Sequence, residues 1–197
     1  ARRKGFDADI VELSNLRKDV QIRTVYKPAN TSSIADLKLH WDGERAMFTQ
    51  TMPDNRWNIF EVKLDGGDCK KLIDNPEPDL EFYDGTYLPD GRIIANSNIG
   101  YQGVPCVNGS DPVGNMVLYT PQNKNLRRLT FDQDANWNPV IMNNGRVMYT
   151  RWEYTDLTHY YTRIVMNMNP DCTEQKALYG SGSMFPNSTF DVPPLPG

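Results

Sequence analysis

One pattern recurs three times along the chain and limits the folds open to it. Asp36–Phe48, Gly85–Ala95 and Pro139–Tyr149 each hold a short apolar run, an Asp-Gly or Asn-Gly pair, a polar residue and a second apolar run. The glycines of these pairs, Gly43, Gly91 and Gly145, are spaced by 48 and 54 residues. Asp-Gly and Asn-Gly between β-favouring runs are strong hairpin signals, and the spacing predicts type I′ turns with positive φ at both central residues. A second hairpin follows each first one: Asn58–Leu64 with Lys70–Ile73, Met116–Tyr119 with Leu126–Thr130, and Arg163–Met168 with Gln175–Leu178. Four short antiparallel strands repeating about every 50 residues are the signature of a β-propeller blade. A β-sandwich built of similar hairpins is the alternative.

The expected organisation is all-β: a propeller section with about three complete four-stranded blades and partial blades at both ends. Residues 7–30 read as the outer strands of one blade, 34–78, 79–132 and 133–180 as whole blades, and 184–197 as the start of the next. The first residues, Ala1-Arg2-Arg3-Lys4, lack an initiator Met and suggest an excised piece. Open blade edges favour pairing with other strands, so such a section is expected to fold poorly alone.

Composition removes several functions. With 39% hydrophobic and 11% aromatic residues the 197-residue chain is too apolar for disorder, yet no window approaches a membrane span. A net charge of -4 supplies no field for phosphate backbones, so nucleic acid is not an expected partner. Cys69, Cys106 and Cys172 form no C-x-x-C pair, which removes zinc-ribbon and c-type haem attachment motifs. Cys69 and Cys172 read as incidental exposed thiols in turns. No G-x-S-x-G or phosphate-loop motif occurs.

In a propeller the strands are scaffold and the loops recognise. The second-to-third-strand connections differ in length: Thr51–Trp57 is short, Ser97–Gly114 long, and Arg151–Tyr161 dense in aromatic and ionisable groups. Ligand-binding candidates are therefore Arg151, Trp152, Glu153, Tyr154, His159 and Tyr160, with Tyr101 and Cys106 from the long insertion. Exposed rings there would suit a sugar or a flat cofactor, whereas Trp152 and Tyr154 could equally cap blade packing. Arg151, Glu153 and Asp156 could form an ion-pair cluster. Asp132, Asp134 and Asn136 offer three oxygen ligands at alternate positions, as a calcium loop begins, but Trp137 stands where glycine is needed. No catalytic residue is assigned, since Cys106 has no base beside it in sequence and His40 and His159 lie on different blades.

Longer motifs carry a family resemblance. Leu129–Pro139 and Asn144–Asp156, with Tyr87–Ile94, Gly103–Val107, Tyr179–Ser183 and Pro186–Ser188, resemble the middle propeller domain of the hydrazine synthase alpha-subunit family. The likeness covers most of residues 34–197, and more loosely the chain looks like TolB-type propellers. The resemblance implies a noncatalytic scaffold or binding domain of a larger secreted bacterial protein, periplasmic or extracellular. Its partners would be the remaining blades or flanking domains of that protein, and a protein or carbohydrate ligand. In the name-giving enzyme the chemistry resides at c-type haems. A propeller lining a haem oxidoreductase pocket would therefore need its attachment motifs in flanking segments, because C-x-x-C-H is absent here. No cofactor other than calcium is expected within the chain.

Overall fold

The computed structural model describes residues 7–104, 108–154, 162–182, 185 and 188–195. Fourteen strands and no helix occur among them. They divide into two compact units, Ala1–Asp74 and Asn75–Gly197.

The first unit holds a two-stranded sheet, β1 (Ile10–Ser14) and β2 (Gln21–Tyr26), and a blade of β3 (Ile34–Leu39), β4 (Arg45–Thr51), β5 (Trp57–Lys63) and β6 (Cys69–Lys71) in the order β3-β4-β5-β6. Ile10 and Val25 pack with Ala46, Phe48 and Val62 between the two sheets. The second unit holds two further blades. One is β7 (Phe82–Tyr87), β8 (Ile93–Ser97), β9 (Asn115–Thr120) and β10 (Asn125–Arg128), and the other is β11 (Asn136–Ile141), β12 (Val147–Trp152), β13 (Arg163–Met168) and β14 (Lys176–Tyr179). Leu88, Ile94, Met116, Leu118 and Leu129 of one meet Val147, Tyr149, Ile164, Met166 and Met168 of the other. All sheets are antiparallel, as expected for blades. The two middle strands of each blade are buried almost throughout, while β6, β10 and β14 are largely exposed.

The hairpins form where the repeat places them, with a different turn. Gly43, Gly91 and Gly145 have φ of 70°, 84° and 79°, but the Asp or Asn before each is not left-handed. Gly91 N donates to Leu88 O and Leu88 N to Arg92 O, and Met142–Arg146 repeats the arrangement. These are type I turns followed by a left-handed glycine in a bulge, not type I′ turns. The physical reason is visible at Pro89, whose fixed negative φ suits the first central position of a type I turn. Met52–Arg56 and Asn169–Thr173 close identically, with Asn55 (φ 68°) and Cys172 (φ 78°) in place of glycine.

The thiols also differ from expectation. Cys172 is half-buried, donates to Leu129 O of the neighbouring blade and accepts from Gln175 Nε2. Burial pushes the Cys69 thiol up, and burial beside Cys69 pushes the Tyr26 phenol up to about 12. Ser188 bridges Arg163, Thr189 Oγ1 donates to Arg163 O, and Asn138 Nδ2 donates 2.8 Å to Asp191. The C-terminal segment thus lies along the third blade, where the inner strand of a following blade belongs.

Candidate functional site

Antiparallel order fixes which loops share an end of each blade. In the second unit the β8–β9 insertion, the β10–β11 connection and the β12–β13 connection emerge at one end, opposite the Gly91 and Gly145 hairpins. The insertion folds into a small ladder of its own, with Val104 N donating to Asp111 O and Val113 N to Gln102 O. It is sewn to the next blade by Asn136 N donating to Gly114 O. Val104 and Val113 then pack with Ala135 and Trp152, and with the half-buried Trp137 and Tyr154.

Several predicted site residues converge here. Arg151, on β12, places Nη1 3.3 Å from Asp132 Oδ1 and Nε 2.7 Å from Glu153 Oε1. The expected ion-pair cluster thus includes Asp132, which comes from the preceding connection, while Asp156 lies outside the described residues. Asn136 is the register partner of Arg151 and is fully buried. Tyr149, two residues before Arg151 on the same face of β12, is 1% exposed. Burial raises its phenol, and the neighbouring Asp132 charge adds to the rise. The three oxygen ligands expected to share a calcium ion have different surroundings: Asp134 Oδ2 accepts from Tyr154 N at 3.0 Å, whereas Asp132 turns to Arg151.

The aromatic candidates are stacked on one another. Trp152 lies 5.2 Å from Tyr154 and 6.0 Å from Trp137, both nearly parallel, and Trp137 lies 6.3 Å from Phe190. The Arg163 guanidinium sits over the rings of Trp137, Trp152 and Phe190 at 5.2 to 5.7 Å. Such cation–π stacking strengthens as water is excluded. Trp152, 5% exposed, caps the packing here instead of standing free on a loop. Tyr101 is exposed in a left-handed turn after β8. Cys106, His159 and Tyr160 lie outside the described residues. His40 is held by Asp42 and Arg45.

A further set of residues carries no motif. Asp36, Asp84 and Asn138 each occupy the third position of an inner strand with φ of 54°, 50° and 53°, where the register shifts by a bulge. Asp191 (φ 43°) continues the series. Their side chains lock the bulges: Thr49 Oγ1 and Asn96 Nδ2 donate to Asp36 and Asp84, and Asn138 N donates to Asp84 Oδ2. A bulge re-aims strand side chains and is common beside functional sites. The signal available in sequence was their spacing of 48 and 54, which matches that of the hairpin glycines.

Among the described residues, no helix is long and apolar enough to cross a membrane, and no group of three or more His, Cys, Asp or Glu is placed to hold a metal ion. No family model matches the sequence, and no curated protein matches it. Solved structures do. A protein assigned as TolB from Agrobacterium tumefaciens superposes with a TM-score of 0.59 at 17% identity, over 87% of this chain and 60% of its own. TolB from Acinetobacter baumannii gives 0.56 at 17%, over 86% and 40%. Hydrazine synthase from Kuenenia stuttgartiensis gives 0.59 at 10%, over 81% and 27%. The chain therefore spans less than two thirds of each of these proteins, and what it shares with them is the TolB-like β-propeller fold.

Proposed function

We propose that the chain is a noncatalytic section of a β-propeller in a larger secreted or periplasmic bacterial protein related to the hydrazine synthase alpha-subunit family. Its task is to present the insertion end of the second unit as a rigid platform for a protein ligand or for flanking domains. The observation that carries this reading is the internal use of the candidate side chains. Arg151 is engaged by Asp132 and Glu153, Asp134 holds the Tyr154 backbone, and Trp152 is covered by other rings. Groups locked in this way shape a surface, whereas a general base or nucleophile needs a free, poised partner.

Limited proteolysis of the whole protein tests the reading. One protected fragment containing residues 7–195 together with further blades is the expected product. Release of these residues alone as the resistant core would overturn the section reading. A haem stain of the whole protein that is lost on deleting this chain would replace the scaffold by an oxidoreductase pocket. Sugar-dependent protection of tryptophan fluorescence that disappears in Trp152→Ala would replace it by carbohydrate recognition.

A further inference from the structure

The ladder register aligns the three blades, with Ile34, Phe82 and Asn136 opposite Gln50, Ser97 and Arg151, and this isolates what is peculiar to the third. Asn136, Tyr149, Arg151 and Glu153 correspond to Ile34, Phe48, Gln50 and Met52 in the first blade and to Phe82, Ala95, Ser97 and Ile99 in the second. The other blades carry the neutral Gln50 and Ser97 at the Arg151 place and apolar groups at the other three. The charged pair Arg151–Glu153, the Asn136 amide and the Tyr149 phenol are therefore particular to the third blade.

That addition is buried and incompletely paired. Asn136 is fully buried, and among the described residues neither its Oδ1 nor its Nδ2 has a hydrogen-bond partner. Among the same residues Tyr149 Oη and Asp132 Oδ2 are likewise buried without a partner. Leaving such groups unpaired forfeits their hydration with nothing in return, so each needs an explanation. Asn136 and Arg151 stand opposite one another in the ladder, Tyr149 is one pleat further on the same face, and Asp132 contacts Arg151. Asn136, Arg151 and Tyr149 thus share one face of the third blade, with Asp132 on Arg151, and Tyr149 packs there against the second blade.

We propose that this point binds a monovalent alkali cation through Asp132 Oδ2, Asn136 Oδ1 and Tyr149 Oη. The charge decides the valence. Asp132 is the one carboxylate among the three ligands, and Asn136 and Tyr149 are neutral, which suits a singly charged ion. Calcium takes six to eight oxygen ligands, commonly including several carboxylates. Here Asp134, the carboxylate that could add to the set, is committed to Tyr154 N. Binding fastens the β10–β11 connection to the inner strands of the third blade, so the cation would stiffen the insertion end.

Thermal unfolding of the whole protein that contains the chain, at constant ionic strength, tests the site. Replacing choline chloride by sodium or potassium chloride should raise Tm, and raise it further with each tenfold rise in metal concentration above Kd. Tyr149→Phe keeps the ring and should abolish the dependence, and Asn136→Leu should do the same. If one variant fails to fold, the other and the native titration still decide. Equal Tm in sodium, potassium and choline, as an ordered water would give, overturns the proposal. So does a larger response to millimolar calcium, or a metal response that survives Tyr149→Phe.

Discussion

Two glycines separate conformational from steric necessity at the scale of single residues. Gly145 has φ of 79° and open space around the position of a Cβ, so a side chain there meets strain in the backbone alone. Gly145→Val should destabilise by about 1–2 kcal/mol, the cost of left-handed backbone for an L-residue. An unchanged denaturant midpoint would refute the turn geometry. Gly114 shows the opposite limit. A Cβ would collide with Tyr83 Oη, whereas Tyr83 Cζ lies 3.5 Å away. Gly114→Ala should cost about 1–3 kcal/mol through overpacking. Adding Tyr83→Phe removes the offending oxygen and should return part of that loss in a double-mutant cycle. Strict additivity of the two changes would show that the clash is relieved elsewhere. Cys172 was illegible for a related reason: its sequence context looks like an exposed turn, yet its left-handed backbone turns the thiol into the seam with the second blade.

The recurring element is the three-residue turn, and it carries its own electrostatics. In Met52–Arg56 and Leu88–Arg92 the aspartate accepts from the following arginine through both backbone and side chain. The side-chain bonds from Arg56 and Arg92 hold the Asp54 and Asp90 carboxyls below the usual carboxylate range. Asp171 is lowered in the equivalent turn by Thr173. A carboxyl whose folded pKa is depressed contributes stability in full above its unfolded value, near 3.9, and loses it as pH falls through the folded value. Stability should therefore decline below about pH 4. Asp54→Asn with Asp90→Asn should flatten the decline of Tm between roughly pH 5 and pH 3. Curves parallel to the native one would place the acid sensitivity elsewhere. The positions of the hairpins and the four-strand period were legible because hairpin chemistry is local, but the turn type was not, since Asp-Gly and Asn-Gly serve both kinds of turn. The bulges at Asp36, Asp84 and Asn138 were not: an Asp or Asn within an apolar run looks like any exposed strand residue until the register shift is seen. The site was legible in part. Arg151, Glu153 and Asp132 stood out as ionisable groups and Asn136 as an oxygen ligand beside Asp132, whereas Tyr149 is conspicuous only once its burial and missing partner are known.

For the whole molecule, the decisive quantity is the interface between neighbouring sheets, because a repeat protein sums intrinsic repeat stabilities and nearest-neighbour contacts. In β1 and β2 the register pairs Leu13 with Ile22 and Val11 with Thr24, which puts these side chains on one face. Leu13 is 49% and Ile22 69% exposed, and Leu16 and Val20 in the adjoining turn are also open. The other face of the same sheet is spent on Ile10 and Val25 in the core of the first unit. An apolar face on a strand pair that already has one packed face is what a blade shows when its neighbour is elsewhere, and such faces promote association. If the proposed larger propeller exists, that face is covered there. Leu13→Lys with Ile22→Lys should then lower the stability of the larger protein by about 3 kcal/mol or more, since each buried side chain contributes roughly 1.5–3 kcal/mol. The same pair of changes in the 197-residue chain should leave Tm nearly unchanged and reduce association in sedimentation. An equal response in both proteins would mean that the face meets water in both, and that the first unit is the edge of the propeller instead of its interior.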